Sequence, residues 1–370
     1  MTTSTTPLRV GLIGVNVDYG WGSRAHVPAL DKLPELALTA VCTTRPETAA
    51  ASAERFNVPL SFHDHKAMVV HPDVDLVAVA VKVPYHHELT MAALEAGKHV
   101  YTEWPLAATV EQAREMADTA RSRGLHTKVG LQGRGTPTVL KLRQLVQEGY
   151  VGEVLSVSMS SASGGITARP ADGTWRAAKE AGASAFTITF GHAVDALEFC
   201  VSPFAEVSAR VGTRIATWDE TDTGRTVPVT AIDTISVSGT LENGAIASAY
   251  VGSPPQHGTG FRLEITGRDG VLLATAAGGP NTNALRLQGA RSSDDRLMDI
   301  DVGDGDVWTP DDVPSGAPFH VAQMYRRFGE QIAGGPAGLV PDFDEAVSLH
   351  QLLDAVERAS ETGQRQRARG

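Results

Sequence analysis

The apolar run LRVGLIGV at residues 8–15 opens straight into a glycine-spaced loop, Gly14-Val-Asn-Val-Asp-Tyr-Gly20-Trp-Gly22, and helical character follows from Arg24. This order constrains the fold more than any other feature of the chain. A tight glycine turn between a buried strand and a helix lets the backbone approach a pyrophosphate, which then sits at the start of that helix. The spacing departs from the strict G-x-G-x-x-G pattern: Asn16 stands where the second glycine is expected, and the loop is longer. Asn tolerates left-handed backbone better than most residues, so the replacement is mild. Taken alone, such a loop fits a structural turn as well as a nucleotide site. Its place between the first strand and the first helix favours the nucleotide.

The pattern continues in the same alternation. LALTAVC (36–42) reads as a second strand, and PETAAASAERF as a helix with proline at its start. LVAVAV (76–81) is a continuous apolar strand of the kind buried on both faces of a parallel sheet. HHELTMAALEAG is a helix closed by Gly97, followed by the strand KHVYTE, the helix TVEQAREMADTARSRG and the strand HTKVGLQ (126–132). Regular alternation of this type predicts a doubly wound parallel sheet. After about residue 150 long strands take over: EVLSVSMSS, AEVSARVG, TAIDTISVSGTL, AIASAYVG and FRLEITG. Asn243-Gly244 and Asp269-Gly270 are hairpin-turn signals among them. A helix is expected near GHAVDALEFCV (191–201), a loop through the acidic 292–316 stretch, and a last helix from Asp342. The expected division is a Rossmann NAD(P)-binding domain at 1–135, an α/β substrate and dimerisation domain at 136–340, and a C-terminal helix at 341–370 returning to the first domain.

Composition excludes several classes. A length of 370 residues suffices for two domains, and a net charge of −11 argues against a direct nucleic-acid binder. No segment reaches the apolar length of a membrane span. The start MTTSTTP lacks a charged region followed by an apolar core, so no secretory leader is read there and the tail is expected to fray. The two cysteines, Cys42 and Cys200, lie in apolar runs, which suits reduced buried thiols in a cytoplasmic protein and not a disulfide framework or a metal site.

The end of the second strand carries the cofactor signal. An NAD site usually has an acidic residue there for the ribose hydroxyls. Here Thr43, Thr44 and Arg45 offer two hydroxyls and a guanidinium, which suit the 2′-phosphate of NADP, with NAD as the alternative. A solvated turn before the Pro46 helix is the bland reading.

These pieces together resemble the glucose–fructose oxidoreductase, inositol dehydrogenase and rhizopine-catabolism family. The resemblance spans nearly the whole chain and rests on RAHVPAL (24–30), His86-x-Glu88, ALEAGKHVYTEWPLA (93–107), GLQGR (130–134) and Gly191-His192-x-x-Asp195. Within the family, GVNVDYGWGSRAHVPAL, EWPLA, EGYVGEV and TFGHAVD are similar to a subgroup typified by the yeast galactose-regulon repressor, whose type member binds NAD(P) yet acts by protein contact. The resemblance implies a Rossmann domain, then an open antiparallel sheet whose outer face makes the subunit interface, hence a homo-oligomer.

It also implies a site. Gly14, Val15, Asn16, Gly20, Trp21, Thr43, Thr44, Arg45, His86, Glu103, Trp104, Pro105 and Gln132 would border the cofactor, and His192 with Asp195 would act on a sugar or polyol-like substrate. Active relatives carry a lysine in an E-K-P triplet and an aspartate four residues before the histidine; this chain has Trp104 and Ile188 there. Tryptophan transfers no proton at neutral pH, and isoleucine cannot orient an imidazole. Two readings follow: an oxidoreductase using His192 as acid/base, oriented by Asp195, or a catalytically silent cofactor-binding regulator. His192 itself is either a site residue or a helix-capping or core histidine. Of His86 and His87, one is expected at the nicotinamide edge and the other in solvent. A second reading of Glu103 is a carboxylate that holds the loop before Pro105, and Arg134 is a ligand contact or an interdomain ion pair. Trp104 is expected as an apolar wall of the cleft, and Trp175, Trp218 and Tyr250 as a sugar platform or as core.

Overall fold

The computed structural model describes residues 6–164, 167–336, 338 and 340–369. Most of the tail expected to fray lies outside these described residues. The chain divides into two compact units: residues up to Gly135 with Val307–Val347, and Thr136–Asp306 with Ser348 onward.

In the first unit, β1 (Leu8–Ile13), β2 (Leu36–Cys42), β3 (Leu60–Phe62), β4 (Leu76–Val79), β5 (His99–Glu103) and β6 (Thr127–Gly130) form one parallel sheet. Their order is β3-β2-β1-β4-β5-β6, so the reversal of strand order falls between β1 and β4. All four residues of β4 are buried, as its unbroken apolar sequence requires. Between the strands lie α1 (Val27–Leu30), α2 (Pro46–Phe56), α3 (His65–Val69), α4 (His86–Glu95) and α5 (Val110–Ser122). Pro46 starts α2, where its missing N–H costs nothing, and Asn57 ends it in the left-handed region at φ 53°. The Thr109 hydroxyl caps α5 by accepting the Gln112 N–H at 3.2 Å. The short edge pair β3 and α3 was not expected; only three residues long, β3 is half-exposed and lacks a strong apolar run.

The second unit begins with α6 (Pro137–Gln147) and carries α7 (Gly191–Cys200). Its main sheet has nine strands in the order β17-β16-β15-β14-β7-β13-β12-β9-β18. These are β7 (Val154–Ala162), β9 (Phe204–Gly212), β12 (Thr234–Leu241), β13 (Ile246–Gly252), β14 (Gly260–Gly267), β15 (Gly270–Ala276), β16 (Arg286–Arg291), β17 (Met298–Asp299) and β18 (Gln366–Arg367). Asn243-Gly244 turns β12 into β13, with Gly244 at φ 88°, and Asp269-Gly270 joins β14 to β15. The sheet is mixed, because β13 runs parallel to β7 within an otherwise antiparallel array. A separate small sheet, β11-β10-β8, combines β8 (Ala168–Arg169), β10 (Thr217–Glu220) and β11 (Thr226–Pro228).

The last two helices change the expected division. α8 (Ala317–Ile332), absent from the sequence reading, falls in the first unit, although 307–340 was assigned to the second domain. Its buried Val321, Met324, Tyr325 and Phe328 recur at helical spacing and join the core of the β1–β4 region. α9 (Phe343–Thr362) belongs to the first unit only up to Val347; the rest of it and β18 belong to the second. The expected return of 341–370 to the first domain therefore holds for its opening turn alone.

Candidate functional site

The glycine loop folds as its composition demands. Gly14 has φ 99°, and a Cβ there would lie 2.4 Å from the Ala80 carbonyl oxygen. Gly22 has no such backbone requirement, yet a Cβ on it would meet the Gly14 carbonyl at 2.6 Å. Two backbones thus approach so closely that no side chain fits between them. Gly20 takes φ 106°. The Asn16 side chain accepts the Asp18 N–H at 2.9 Å, and the Ser23 hydroxyl donates to the Asn16 carbonyl, so the longer loop is braced from within. The following helix starts with a wide π-type turn, Gly22–His26, before α1. Such a cradle fits a dinucleotide: the backbone lies open to a pyrophosphate at the end of β1 beside the strand-order reversal.

The expected cofactor residues split into two kinds. Gly14, Asn16, Gly20 and Trp21 are partly exposed along the loop, and Thr44 and Arg45 are exposed after β2. Arg45 forms no ion pair among the described residues. The Thr43 hydroxyl is engaged locally, 2.6 Å from the Thr48 hydroxyl and 3.1 Å from the Arg45 carbonyl that it can donate to, leaving Thr44 and Arg45 as the presented groups.

The others form the frame behind the loop. The side chain of Val15 is fully buried in the core, and its carbonyl accepts from Ser52 Oγ at 2.9 Å. His86 is 1% exposed and its ring spans two carbonyls, Pro105 O at 2.8 Å from Nδ1 and Val81 O at 3.1 Å from Nε2. Burial lowers its pKa against the raising pull of these carbonyls, and a neutral ring donates to only one of the two, across the ends of β4 and β5. It offers no spare ring nitrogen to a nicotinamide. His87 is half-exposed and pairs with Glu115 at 2.9 Å.

Glu103 sits at the centre of a buried network. Its Oε1 faces His26 Nε2 at 2.9 Å, and its Oε2 accepts from Gln132 Nε2 at 2.7 Å. The other ring nitrogen of His26 lies 2.7 Å from the Tyr325 hydroxyl. With the carboxylate as acceptor, His26 carries its proton on Nε2 and takes the tyrosine O–H at Nδ1. Gly130 is bare because a Cβ there would lie 2.5 Å from Glu103 Oε2. Glu103, His26, Gln132 and Tyr325 thus join the end of β5 to the first helix and α8. Trp104 is 5% exposed and joined to Pro105 by a cis peptide bond. Its indole is mostly packed. Arg134 pairs with Glu345 inside the same unit.

In the second unit His192 and Asp195 lie three apart in the first turns of α7, at 7% and 2% exposure. α7 continues a π-type turn, Ala185–Phe190, whose start is capped by Ser184: its hydroxyl accepts from Phe186 N and Thr187 N at 3.2 and 3.3 Å. His192 is therefore inside a helix that another residue caps, which removes the capping reading for it. Trp218 is buried with the Arg169 guanidinium 4.7 Å above its ring, and Tyr250 is exposed on the outer side of β13, so these aromatics do not form one platform. The sequence reading missed His26 and Tyr325 as partners of Glu103. His26 lay in view within RAHVPAL, but its partner is 299 residues away.

Over residues 8–131 the chain matches the family model described as oxidoreductase family, NAD-binding Rossmann fold, and over 137–276 the model of the Gal80p C-terminal domain. Among curated proteins it is similar to dehydrogenase aclE of Aspergillus oryzae, 29% identical over 374 residues that span 96% of this chain and 97% of the relative. It is also similar to the galactose/lactose metabolism regulatory protein GAL80 of Saccharomyces cerevisiae, 28% identical over 303 residues, 72% of this chain and 68% of the relative. A crystal structure of a super-repressor mutant of Gal80p from Saccharomyces cerevisiae shares the fold with a TM-score of 0.87 at 24% identity, over 98% of this chain and 97% of that one. The chain joins a Rossmann domain of the glucose–fructose oxidoreductase, inositol dehydrogenase and rhizopine-catabolism family to a C-terminal domain of the Gal80p type.

Proposed function

We propose that the chain is an oxidoreductase that prefers NADP(H) to NAD(H) and acts on the CH–OH group of a sugar or polyol-like substrate. The observation that carries the cofactor is the loop in which only glycine fits at Gly14 and Gly22, beside an exposed Arg45 that no carboxylate neutralises among the described residues. The loop backbone receives the pyrophosphate, while Thr44 and Arg45 receive the 2′-phosphate. When bound, the nicotinamide supplies the hydride acceptor or donor. His192 takes the hydroxyl proton as the alcohol is oxidised and returns it in the reverse direction. Asp195, on the same face of α7, orients the ring. Calorimetric titration with NADPH and NADH tests the cofactor. Tighter NADPH binding that weakens in Arg45→Ala is expected; equal binding of both, unmoved by Arg45→Ala, would count against it.

The second reading is a silent cofactor-binding regulator, favoured by packed Trp104 in the lysine position and Ile188 in the aspartate position. It also draws on the Gal80p-type second domain. Both readings share the cofactor site and part only over turnover. The two unbridged buried thiols, Cys42 and Cys200, fit the cytoplasm for either.

A homo-oligomer through the outer face of the large sheet belongs to the proposal. Ser208, Ser238, Ser248 and Ser158 stand in register across β9, β12, β13 and β7, all exposed. Small side chains of this kind leave a flat face on which a second copy can pack closely, with Tyr250, Ile246 and Leu155 exposed beside them. Sedimentation giving only the 39.1 kDa species at micromolar concentration would overturn it.

A further inference from the structure

The second unit holds a cavity of about 100 Å³ at the front end of the helical run that carries His192. Ser184, Ile188 and Thr189 line it from that run, and Arg169, Arg176 and Trp218 line it from the small-sheet region. The balance of charge there is unusual. Arg169 forms no ion pair among the described residues, and its Nε is buried without a hydrogen-bond partner, as is the indole Nε1 of Trp218. Burial first, and then the charge of Arg176, hold the Arg169 pKa down to about 10, and no carboxylate acts in the other direction. Asp233 also borders the cavity, but its carboxylate is already taken by the N–H groups of Arg214 and Ile215 and the hydroxyl of Thr234, at 2.8–3.0 Å.

A partly buried cation stacked on an indole, with a second guanidinium beside it, is stabilised by an anion and by little else. The fork of N–H donors on arginine matches the paired oxygens of a carboxylate or phosphate. The size of the cavity sets how much of a ligand enters. Whole small-molecule pockets run to roughly 300–1,000 Å³, whereas this one accommodates a terminal group. We infer that the cavity between Arg169, Arg176 and Trp218 binds the oxyanion group, carboxylate or phosphate, of an acidic sugar derivative. The inference rests on the oxidoreductase reading for the rest of that ligand, because the same helical run continues to His192. Ile188, an apolar side chain on the lining, keeps a competing negative charge out of this part of the cavity.

The test is calorimetric titration of the full chain at low ionic strength with gluconate, glucose 6-phosphate, inorganic phosphate and neutral glucose. The inference expects gluconate or glucose 6-phosphate to bind more tightly than glucose, the tighter of the two identifying the source of the oxyanion, and binding to weaken as salt rises. Arg169→Met should weaken it about 10- to 100-fold, the loss of charged hydrogen bonds. Ile188→Asp should abolish it by repulsion, and a melting curve for each variant shows that it folds. NADPH affinity should be unchanged in both. No oxyanion binding above that of glucose, or binding indifferent to both variants, overturns the inference. Oxyanion binding without any turnover would sustain it while removing the oxidoreductase reading, and turnover of neutral sugars with no oxyanion effect would do the reverse.

Discussion

Removing the Glu103 carboxylate should destabilise the first unit strongly. The side chain is 9% exposed and accepts from His26 Nε2 at 2.9 Å and Gln132 Nε2 at 2.7 Å. Hydrogen bonds to a charged group contribute roughly 1.5–3 kcal/mol each, and a buried donor left without an acceptor adds its own desolvation cost. Glu103→Ala should therefore cost about 3–5 kcal/mol, and Glu103→Gln, which keeps the shape and loses the charge, about 1–2 kcal/mol. Gln132 can turn its amide so that Oε1, which has no hydrogen-bond partner, meets the new amide N–H, while the new carbonyl still accepts from His26. In a unit of this size each kcal/mol moves the melting temperature by about 2–4 °C, so the alanine variant should melt roughly 6–20 °C lower. Gly130→Ala is an independent check, since its Cβ would come 2.5 Å from the carboxylate and displace it. Differential scanning calorimetry of the three variants reads this directly. A Glu103→Ala shift below about 2 °C would refute the network as a structural element. Equal losses in the Gln and Ala variants would refute the assignment of the cost to lost geometry.

Other outcomes follow from the same structure. Lys128 is fully buried, its Nζ donates to the Val340 carbonyl, and burial lowers its pKa to about 7 against the opposing pull of Glu345 and Asp342. Above that value the unfolded chain holds a proton that the folded chain lacks, so stability rises with pH at up to about 1.4 kcal/mol per unit. Urea midpoints should climb from about pH 7 to pH 8.5 and stay flatter in Lys128→Met. The Cys42 thiol, pushed up to about 12 by burial, acts with the opposite sign and only at higher pH. Trp104, at 5% exposure, should contribute by packing: Trp104→Ala should cost about 3–5 kcal/mol in a denaturation curve, and a cost below about 1 kcal/mol would contradict that.

Sequence and structure agree where short-range chemistry is decisive. The run into Gly14 is legible because a strand ending in that backbone angle admits little else, and Asn243-Gly244 is legible for the same reason. α8 was legible in principle: Val321, Met324, Tyr325 and Phe328 carry a helical stripe that the reading passed over between an acidic loop and a stronger helix. The parallel pairing of β7 with β13 was not, because strands about 90 residues apart in sequence leave no local mark of which neighbour they choose. The same holds for the partners of Glu103. His86 shows the converse: a histidine in a family motif looked like a ligand group, and the two carbonyls that flank its ring nitrogens are invisible in sequence.

Turnover is the point on which the account stands. The full chain, with NADP⁺ and a panel of sugars, polyols and sugar acids, should show growth of the reduced nicotinamide absorbance band with at least one of them. His192→Ala, which leaves the glycine loop untouched, should slow that step by about 10²–10⁴-fold while binding NADPH as the parent does. Tight NADPH binding with no absorbance change for any substrate in either direction, or equal rates in the parent and His192→Ala, would contradict it.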